Sequence, residues 1–535
     1  MRQAMQLDAP LHEYLRAHAR ATPDKAVYLW YGAPITFAQV DKASDAFAAR
    51  LKAIGIQKGE PVALFMNNCP QYVIAHYGIQ KLGAIVCPCG PLNKEHELEY
   101  QLSDLQARVI VAAKDLLHIV DKVKAKTAIT HIFGVRYEDL LPPTPSIDIP
   151  VDLKALIGSD KTLPKGTEDF LEVMHSGAQT PTVAMDMDND VALMTYTSGT
   201  TGLPKGAMLT YRNALFKTHA SVSTKQIHEA DVILSIAPLY HIAGMLMGVN
   251  IPIYSGATTV LLHRFDPLTV LQAIERHKVT WWYSIAPMNV AVMAVPHARE
   301  FDLSSLRQNS VTSFGIAYTE PLAAQWKTFA KNCVSMEASY GLSETHTMDT
   351  HMPADAIRWG THGIPIEGNE ICIIDPDTGE KKSAGEIGEI ILRSKGVFKG
   401  YWNKPEATAK TLKEGWVYTG DMGKIDEEGY LTFIGRFKEM IKVSGYSVFP
   451  EEVETILIKH PAVAQAAVIG IADAEKGEVV SAFIVLKPGA QLDAATLMAW
   501  SRDNMALYKA PKHVQFITSL PATGSGKVLR RMLKD

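Results

Sequence analysis

Cysteine is scarce in this chain, with five among 535 residues at positions 69, 87, 89, 333 and 372. So few and so scattered, they exclude a disulfide framework, and the isolated Cys87-Pro-Cys89 lacks the second pair that a structural zinc site needs. Net charge is also small, −4 from 53 basic and 57 acidic residues, so composition gives no electrostatic reason to expect a nucleic-acid partner. No stretch approaches the ~20 consecutive apolar residues of a membrane span. The opening segment MRQAMQLDAPLHEYLRAHAR carries charge throughout, where a secretory signal needs an apolar centre. Internal repeats and low-complexity tracts are absent as well. What is present is an ordinary globular composition, 47% hydrophobic and 21% charged, expected in the reducing cytoplasm. Single cores stop growing at roughly 250–300 residues, so this length predicts more than one.

The pattern along the chain is α/β. Apolar residues at helical spacing in FAQVDKASDAFAARLKAIG end at Gly55, a suitable helix stop. PVALFM and AIVCPC read as buried strands flanking the helical QYVIAHYGIQKLG, the signature of a crossover between parallel strands. LPPTPSIDIP, Leu141 to Pro150, is a proline-rich connector. From about Glu370 the texture becomes β-rich, with two strands joined at Asp375-Pro-Asp-Thr-Gly379. Pro450, Glu451 and Glu452 then open a helix in a last α+β module of about a hundred residues. The expected architecture is a large N-terminal domain, residues 1–435, of parallel and mixed sheets with helices plus a small β-rich module. A small mobile α+β C-terminal domain, residues 436–535, follows a hinge near 436–438.

One segment, TYTSGTTGLPKGAML from Thr195 to Leu209, concentrates hydroxyls, glycines and one lysine. Glycines let backbone N–H groups approach anionic oxygens, and Thr197, Ser198, Thr200 and Thr201 add donors around Gly199 and Gly202, with Lys205 balancing charge. The order is wrong for a Walker loop, because Pro204 intervenes and Lys205 precedes Gly206.

This segment resembles the AMP-binding signature of the adenylate-forming superfamily, which includes acyl-CoA synthetases, peptide-synthetase adenylation domains and firefly-type luciferases. Four further motifs occur in the family's order: GIAY, SYGLSET, YTGD with GRFKEMIKVSG, and PATGSGKVLRR, the resemblance covering about Asp24 to Arg531. It implies that the Thr197–Lys205 segment cradles the phosphates of ATP. It also implies that Gly315, Ile316 and Ala317 form the adenine turn, that Tyr340 stacks on adenine beside Gly341, and that Asp421 and Arg436 hold the ribose. Thr345 is expected at the α-phosphate, Glu344 at Mg²⁺, and Lys527 as the catalytic cation of adenylation. Ile316 and Tyr318 depart from the family's Gly-Gly-Ala-Pro-like turn, so only backbone contacts carry over there.

For the second half-reaction the resemblance implies rotation about Lys438, bringing Lys442, Ser444, Gly445 and Tyr446 to the incoming CoA. PLYHIAGM supplies His241 at the carboxylate and thiol junction, with Tyr240 as an aromatic gate. Tyr240, Met245, Tyr283, Met288 and His346 are expected to line a mainly apolar acyl pocket. The metal-ligating side chains of HTMDTH, residues 346–351, are read more simply as acyl-pocket lining. The implied reaction is that of an AMP-forming acid–thiol ligase acting on a medium- or long-chain fatty acid, with ATP, Mg²⁺ and CoA. An aryl or short functionalised acid, or a separate acyl carrier protein as acceptor, is the alternative. The resemblance is compatible with a homodimer.

Overall fold

The computed structural model describes residues 8–533 apart from 159, 180–182, 198–202, 315, 332, 445, 474–475 and 524–527. Local chemistry sets the first elements. The Thr36 hydroxyl accepts from the Gln39 amide, and the Gln39 side chain accepts from the Thr36 amide, which opens helix Phe37–Ala53. The chain leaves that helix at Gly55, whose φ of 84° suits glycine. Helix Pro70–Lys81 is buried along its whole length, as a helix without a polar face must be. Its one ammonium, Lys81 Nζ, is compensated by Asp41 at 2.6 Å and Asp45 at 2.8 Å.

Two large sheets carry the N-terminal part. The first runs, in spatial order, Val334–Glu337, Gln308–Thr312, Trp281–Ile285, Val232–Ser235, Thr258–Leu261, Ala26–Trp30 and Ala33–Thr36. Its members pair in parallel except for the edge hairpin 26–36. The second runs Gly400–Tyr401, Lys205–Thr210, Val191–Thr197, Ile85–Cys89, Pro61–Phe65, Val109–Ala113, His131–Val135 and Thr167–Asp169. Pro61–Phe65 and Ile85–Cys89 are parallel neighbours, as the crossover pattern predicts. Helix Pro70–Lys81 joins the two halves. The Tyr77 hydroxyl donates to the Val249 carbonyl, and the Tyr211 hydroxyl donates to that of Gln80.

The β-rich module is a five-stranded antiparallel sheet that includes Glu370–Ile374, Gly388–Arg393, Trp416–Ile425 and Leu431–Arg436. Beyond it, strands Val463–Asp473 and Gly477–Leu486, with helices Pro450–Leu457 and Ala494–Asn504, enclose their own apolar core of Ile441, Val453, Val468, Ile484 and Leu497. Within the glycine-rich segment, Lys205–Thr210 is a strand returning antiparallel to Val191–Thr197, with Thr197 opposite Lys205. Its burial does not alternate, so period-two patterning did not reveal it. Among the described residues no helix is long and apolar enough to cross a membrane.

Candidate active site

Four adjacent parallel strands, Val232–Ser235, Trp281–Ile285, Gln308–Thr312 and Val334–Glu337, end along one edge of the first sheet. Tyr240 and His241, Met288, Ile316 and Ala317, and Tyr340 each follow one of these carboxyl ends. Open α/β sheets hold ligands at that edge, because the loops there converge over a crevice.

Tyr340 is buried, and its hydroxyl donates to Asp421 Oδ2 at 2.7 Å while its ring lies along Phe433, centroids 6.0 Å apart. The opposite carboxylate oxygen, Asp421 Oδ1, meets Arg436 Nε at 2.9 Å. Asp421 and Arg436 face each other across strands Trp416–Ile425 and Leu431–Arg436, so sheet register alone brings them together. A second cluster forms around Glu344. Tyr401 donates its hydroxyl to Glu344 Oε1 at 2.6 Å, and Lys205 Nζ stands 4.3 Å from the centre of the Tyr401 ring. Burial pulls the Lys205 ammonium below its ordinary value, and the Glu344 carboxylate opposes that shift. Thr197 and Lys205 mark the described feet of the glycine-rich loop, whose Pro204 carbonyl accepts from the Tyr100 hydroxyl at 2.8 Å. Ser198, Gly199, Thr200, Thr201, Gly202, Gly315, Gly445 and Lys527 lie outside the described residues.

The turn after Glu344 departs from expectation. Thr345 was expected at the α-phosphate, yet its side chain is fully buried and its hydroxyl donates to the Asp349 carboxylate. The cause is the backbone beyond it: His346, Thr347 and Met348 have φ of 58°, 57° and 49°, three successive non-glycine residues in the left-handed region. Each such residue costs about 1–2 kcal/mol and persists only when its surroundings fix it. Here the Thr347 amide donates to the Leu342 carbonyl and the Asp349 amide to the Tyr340 carbonyl, both at 2.7 Å. In the same turn Ser343, adjacent to Glu344, is half-buried.

Tyr240, Met245, Tyr283 and Met288, expected to line an acyl pocket, lie on or after two neighbouring strands of the first sheet. Tyr283 accepts from the Thr312 hydroxyl at 3.1 Å, and Met288 lies on the helix that begins at Ala286, which packs with Val311 and Ile316. Met245 is buried, and Tyr240 is half-buried, with its ring near Gly90. His241 Nδ1 accepts from the Ala243 amide at 3.3 Å and so caps the short helix Ile242–Met245. His346 is fully buried near His76, and neither ring has a hydrogen-bond partner among the described residues. In the C-terminal part, Lys438 lies in the turn Phe437–Glu439. Lys442 and Ser444 are exposed on the hairpin Ile441–Val448, where Tyr446 stacks on Tyr508 at 4.5 Å.

Sequence reasoning missed Tyr401, Phe433 and Glu337. Glu337 accepts from the Ser313 amide at 3.2 Å and from its hydroxyl, and Ser313 Oγ in turn accepts from the Tyr318 amide, which fixes the turn through Ile316. Burial pushes the Glu337 carboxyl up to about 7.

Buried histidines give a pH prediction. Burial lowers His12 and His76 to about 3 and His263 and His346 to about 4, against 6.5 for an exposed ring. Between those values the unfolded chain binds protons that the folded chain refuses, so stability falls as pH drops below 6.5. Each histidine contributes up to about 1.4 kcal/mol per pH unit. Glu337 acts oppositely between about 7 and its ordinary 4.5, so it offsets the share of one histidine over that range. Urea midpoints taken from pH 7.5 to 4 should decline with that profile; a midpoint flat to pH 5 contradicts it.

Residues 15–402 match the AMP-binding enzyme family, and residues 452–527 match the AMP-binding enzyme C-terminal domain. The chain belongs to this family of AMP-binding enzymes. It is similar to a long-chain-fatty-acid–CoA ligase of Bacillus subtilis strain 168, 36% identical over 98% of this chain and 94% of the relative. A 4-coumarate–CoA ligase of Solanum tuberosum is 31% identical over 93% of this chain and 88% of its own length. Among solved structures, an anthranilate CoA ligase in complex with anthranoyl-AMP superposes with a TM-score of 0.85 at 29% identity, covering 99% of this chain and 97% of that one.

Proposed function

We propose that this chain is an ATP-dependent acyl-CoA synthetase. A carboxylic acid and ATP give acyl-AMP and pyrophosphate, and acyl-AMP and CoA then give acyl-CoA and AMP. The observation that carries this reading is the short span 340–344. It links the Tyr340–Asp421–Arg436 cluster to the Glu344–Tyr401–Lys205 cluster at the carboxyl edge of the first sheet.

An acid attacking an α-phosphate brings two anions together, so the site must supply fixed donors and cations where negative charge builds. In this reading the loop from Thr197 to Lys205 holds the departing phosphates, Tyr340 faces adenine and Asp421 takes the ribose hydroxyls. Ser343 replaces Thr345 as the hydroxyl donor at the α-phosphate, and Lys527 neutralises the meeting anions. Glu344 fits Mg²⁺, because it is a half-exposed hard-oxygen donor already oriented by Tyr401. When bound there, the ion supplies charge neutralisation on phosphate oxygens.

The separate apolar core beyond residue 440 supports a division into residues 1–435 and 436–535 with Lys438 at the hinge. Lys442, Ser444, Gly445 and Tyr446 would then meet CoA, with Gly445 leaving room beside the backbone for the pantetheine arm. The mainly apolar set Tyr240, Met245, Tyr283 and Met288, and the names of relatives 31–36% identical, support a medium- or long-chain fatty acid. The ring nitrogens of His346 and His76, without hydrogen-bond partners among the described residues, favour, as second reading, an acid bearing an aromatic ring or an additional oxygen.

The test is to supply ATP, Mg²⁺, CoA and a graded set of fatty, aryl and hydroxy acids, and to weigh the products by mass spectrometry. The expected result is acid-dependent pyrophosphate exchange and one family of acyl-CoA masses. No exchange with any acid, or product only on a carrier protein, would overturn the respective half of the proposal.

A further inference from the structure

Beside the candidate nucleotide residues lies an ion pair wholly removed from solvent. Lys217, on helix Tyr211–Lys225, places Nζ 2.5 Å from Asp349 Oδ1, and neither side chain is accessible. The packing around the pair is specific. Asp349 Oδ1 also accepts from Asn369 Nδ2 at 2.9 Å, its Oδ2 accepts from the Thr345 hydroxyl, and Lys217 Nζ donates to the Met348 carbonyl at 3.3 Å. A β-carbon on Gly396 would come within 2.3 Å of the Lys217 stem, so the lysine fills its channel.

The pair sits at the closing point of a loop that doubles back on itself. Tyr340 and Glu344 stand on the outgoing limb, the left-handed run 346–348 makes the reversal, and Asp349 ends the returning limb. Gly341 permits this closure: a β-carbon there would lie 2.4 Å from the Met348 amide nitrogen. A buried ion pair is generally no better for stability than apolar side chains of equal volume, and the best-attested reason to keep one is that it fixes a unique arrangement. Here the arrangement fixed is that of the turn Ser343–Thr345.

We infer that Lys217 and Asp349 are positioning residues, whose ion pair holds the Thr345 hydroxyl and thereby sets the direction of the Glu344 carboxylate and the seat of Tyr340. Neither residue touches substrate. The inference rests on the proposal that Tyr340 and Glu344 serve ATP and its metal. It adds that the fidelity of that turn depends on a charge pair 132 residues apart in sequence.

The full-length protein is compared as wild type, K217M, D349N and the double variant, by thermal melting, by ATP KM and kcat in acid-dependent pyrophosphate exchange, and by the Mg²⁺ concentration giving half-maximal exchange. Each single change leaves a buried group without its partner and lowers the melting temperature. The double variant, with no orphaned charge, regains most of that temperature. Its half-maximal Mg²⁺ concentration and ATP KM nevertheless stay raised by about tenfold, the lower end of the loss seen when partners that orient a metal ligand are removed. Recovery of melting and of both kinetic constants together would reduce the pair to a packing device and overturn the inference. Should the double variant fail to fold, Thr345→Val keeps the pair and cuts its link to the turn, together with the hydroxyl's local bonds to the Leu342 backbone. It should show the same Mg²⁺ shift, and unchanged kinetics there overturn the inference equally. A wild-type protein with no acid-dependent exchange would instead refute the underlying functional reading.

Discussion

In Lys527→Ala, pyrophosphate exchange falls by about two to three powers of ten, the loss typical of one preorganised donor at a developing charge. Thioester formation from a supplied acyl-adenylate persists. The asymmetry follows from electrostatics. In adenylation, a carboxylate and a polyphosphate must approach within bonding distance, and a cation between them lowers the barrier. Thioester formation starts from a mixed anhydride whose acyl carbon is already activated, so the same cation is dispensable. The residues flanking Lys527 are well anchored. Ala522 pairs with Val528, the Leu529 amide donates to the Pro521 carbonyl, and Arg530 is held by Glu439, Glu451 and Glu454. Single-turnover assays of each half-reaction check this result. Equal damage to both would contradict the proposed division of labour.

Gly341→Ala should damage the nucleotide residues through a single added methyl group. The added carbon would lie 2.4 Å from the Met348 amide nitrogen and 2.7 Å from the Thr347 carbonyl carbon, both backbone atoms of the left-handed run. That run is pinned on each side by Thr347 N–H to Leu342 and Asp349 N–H to Tyr340, so it has nowhere to retreat. Forced overpacking of this kind costs about 1–3 kcal/mol of stability. The functional cost is larger, because a shift of ~1 Å in Tyr340 or Glu344 is worth about a hundredfold in rate. We expect kcat/KM for ATP to drop by about that factor while the melting temperature falls by only a few degrees. A variant with wild-type ATP kinetics would show that the loop is softer than its hydrogen bonds imply.

Much of the architecture was legible because its signals are local. Helix Phe37–Ala53 announces itself through apolar residues at helical spacing and Gly55, and Pro450 with two glutamates marks helix Pro450–Leu457. The strand–helix–strand unit 61–89 follows from apolar runs of the right length. The motif residues Tyr340, Asp421, Arg436, Glu344 and Lys205 were legible through family resemblance, and the fold gathers them into two clusters. What sequence hid depends on distance or on backbone handedness. Lys217 falls in a helix where a lysine reads as solvated, and only the fold brings Asp349 to it. Thr345 looked like the outward hydroxyl, since nothing in Thr-His-Thr-Met-Asp signals three left-handed residues that turn it inward and leave Ser343 half-buried. Strand Lys205–Thr210 hid within a motif read for its chemistry.

Strands Ala26–Trp30 and Thr258–Leu261 lie side by side, and helix Pro70–Lys81 is covered partly by residues near 211 and 249. Translation delivers these partners in an awkward order. A ribosome that has finished the first two hundred codons exposes an oily cylinder and an unmatched strand edge, both of which invite aggregation. The earliest part of the polypeptide must wait, shielded or collapsed, until more than sixty further residues have emerged to complete its walls.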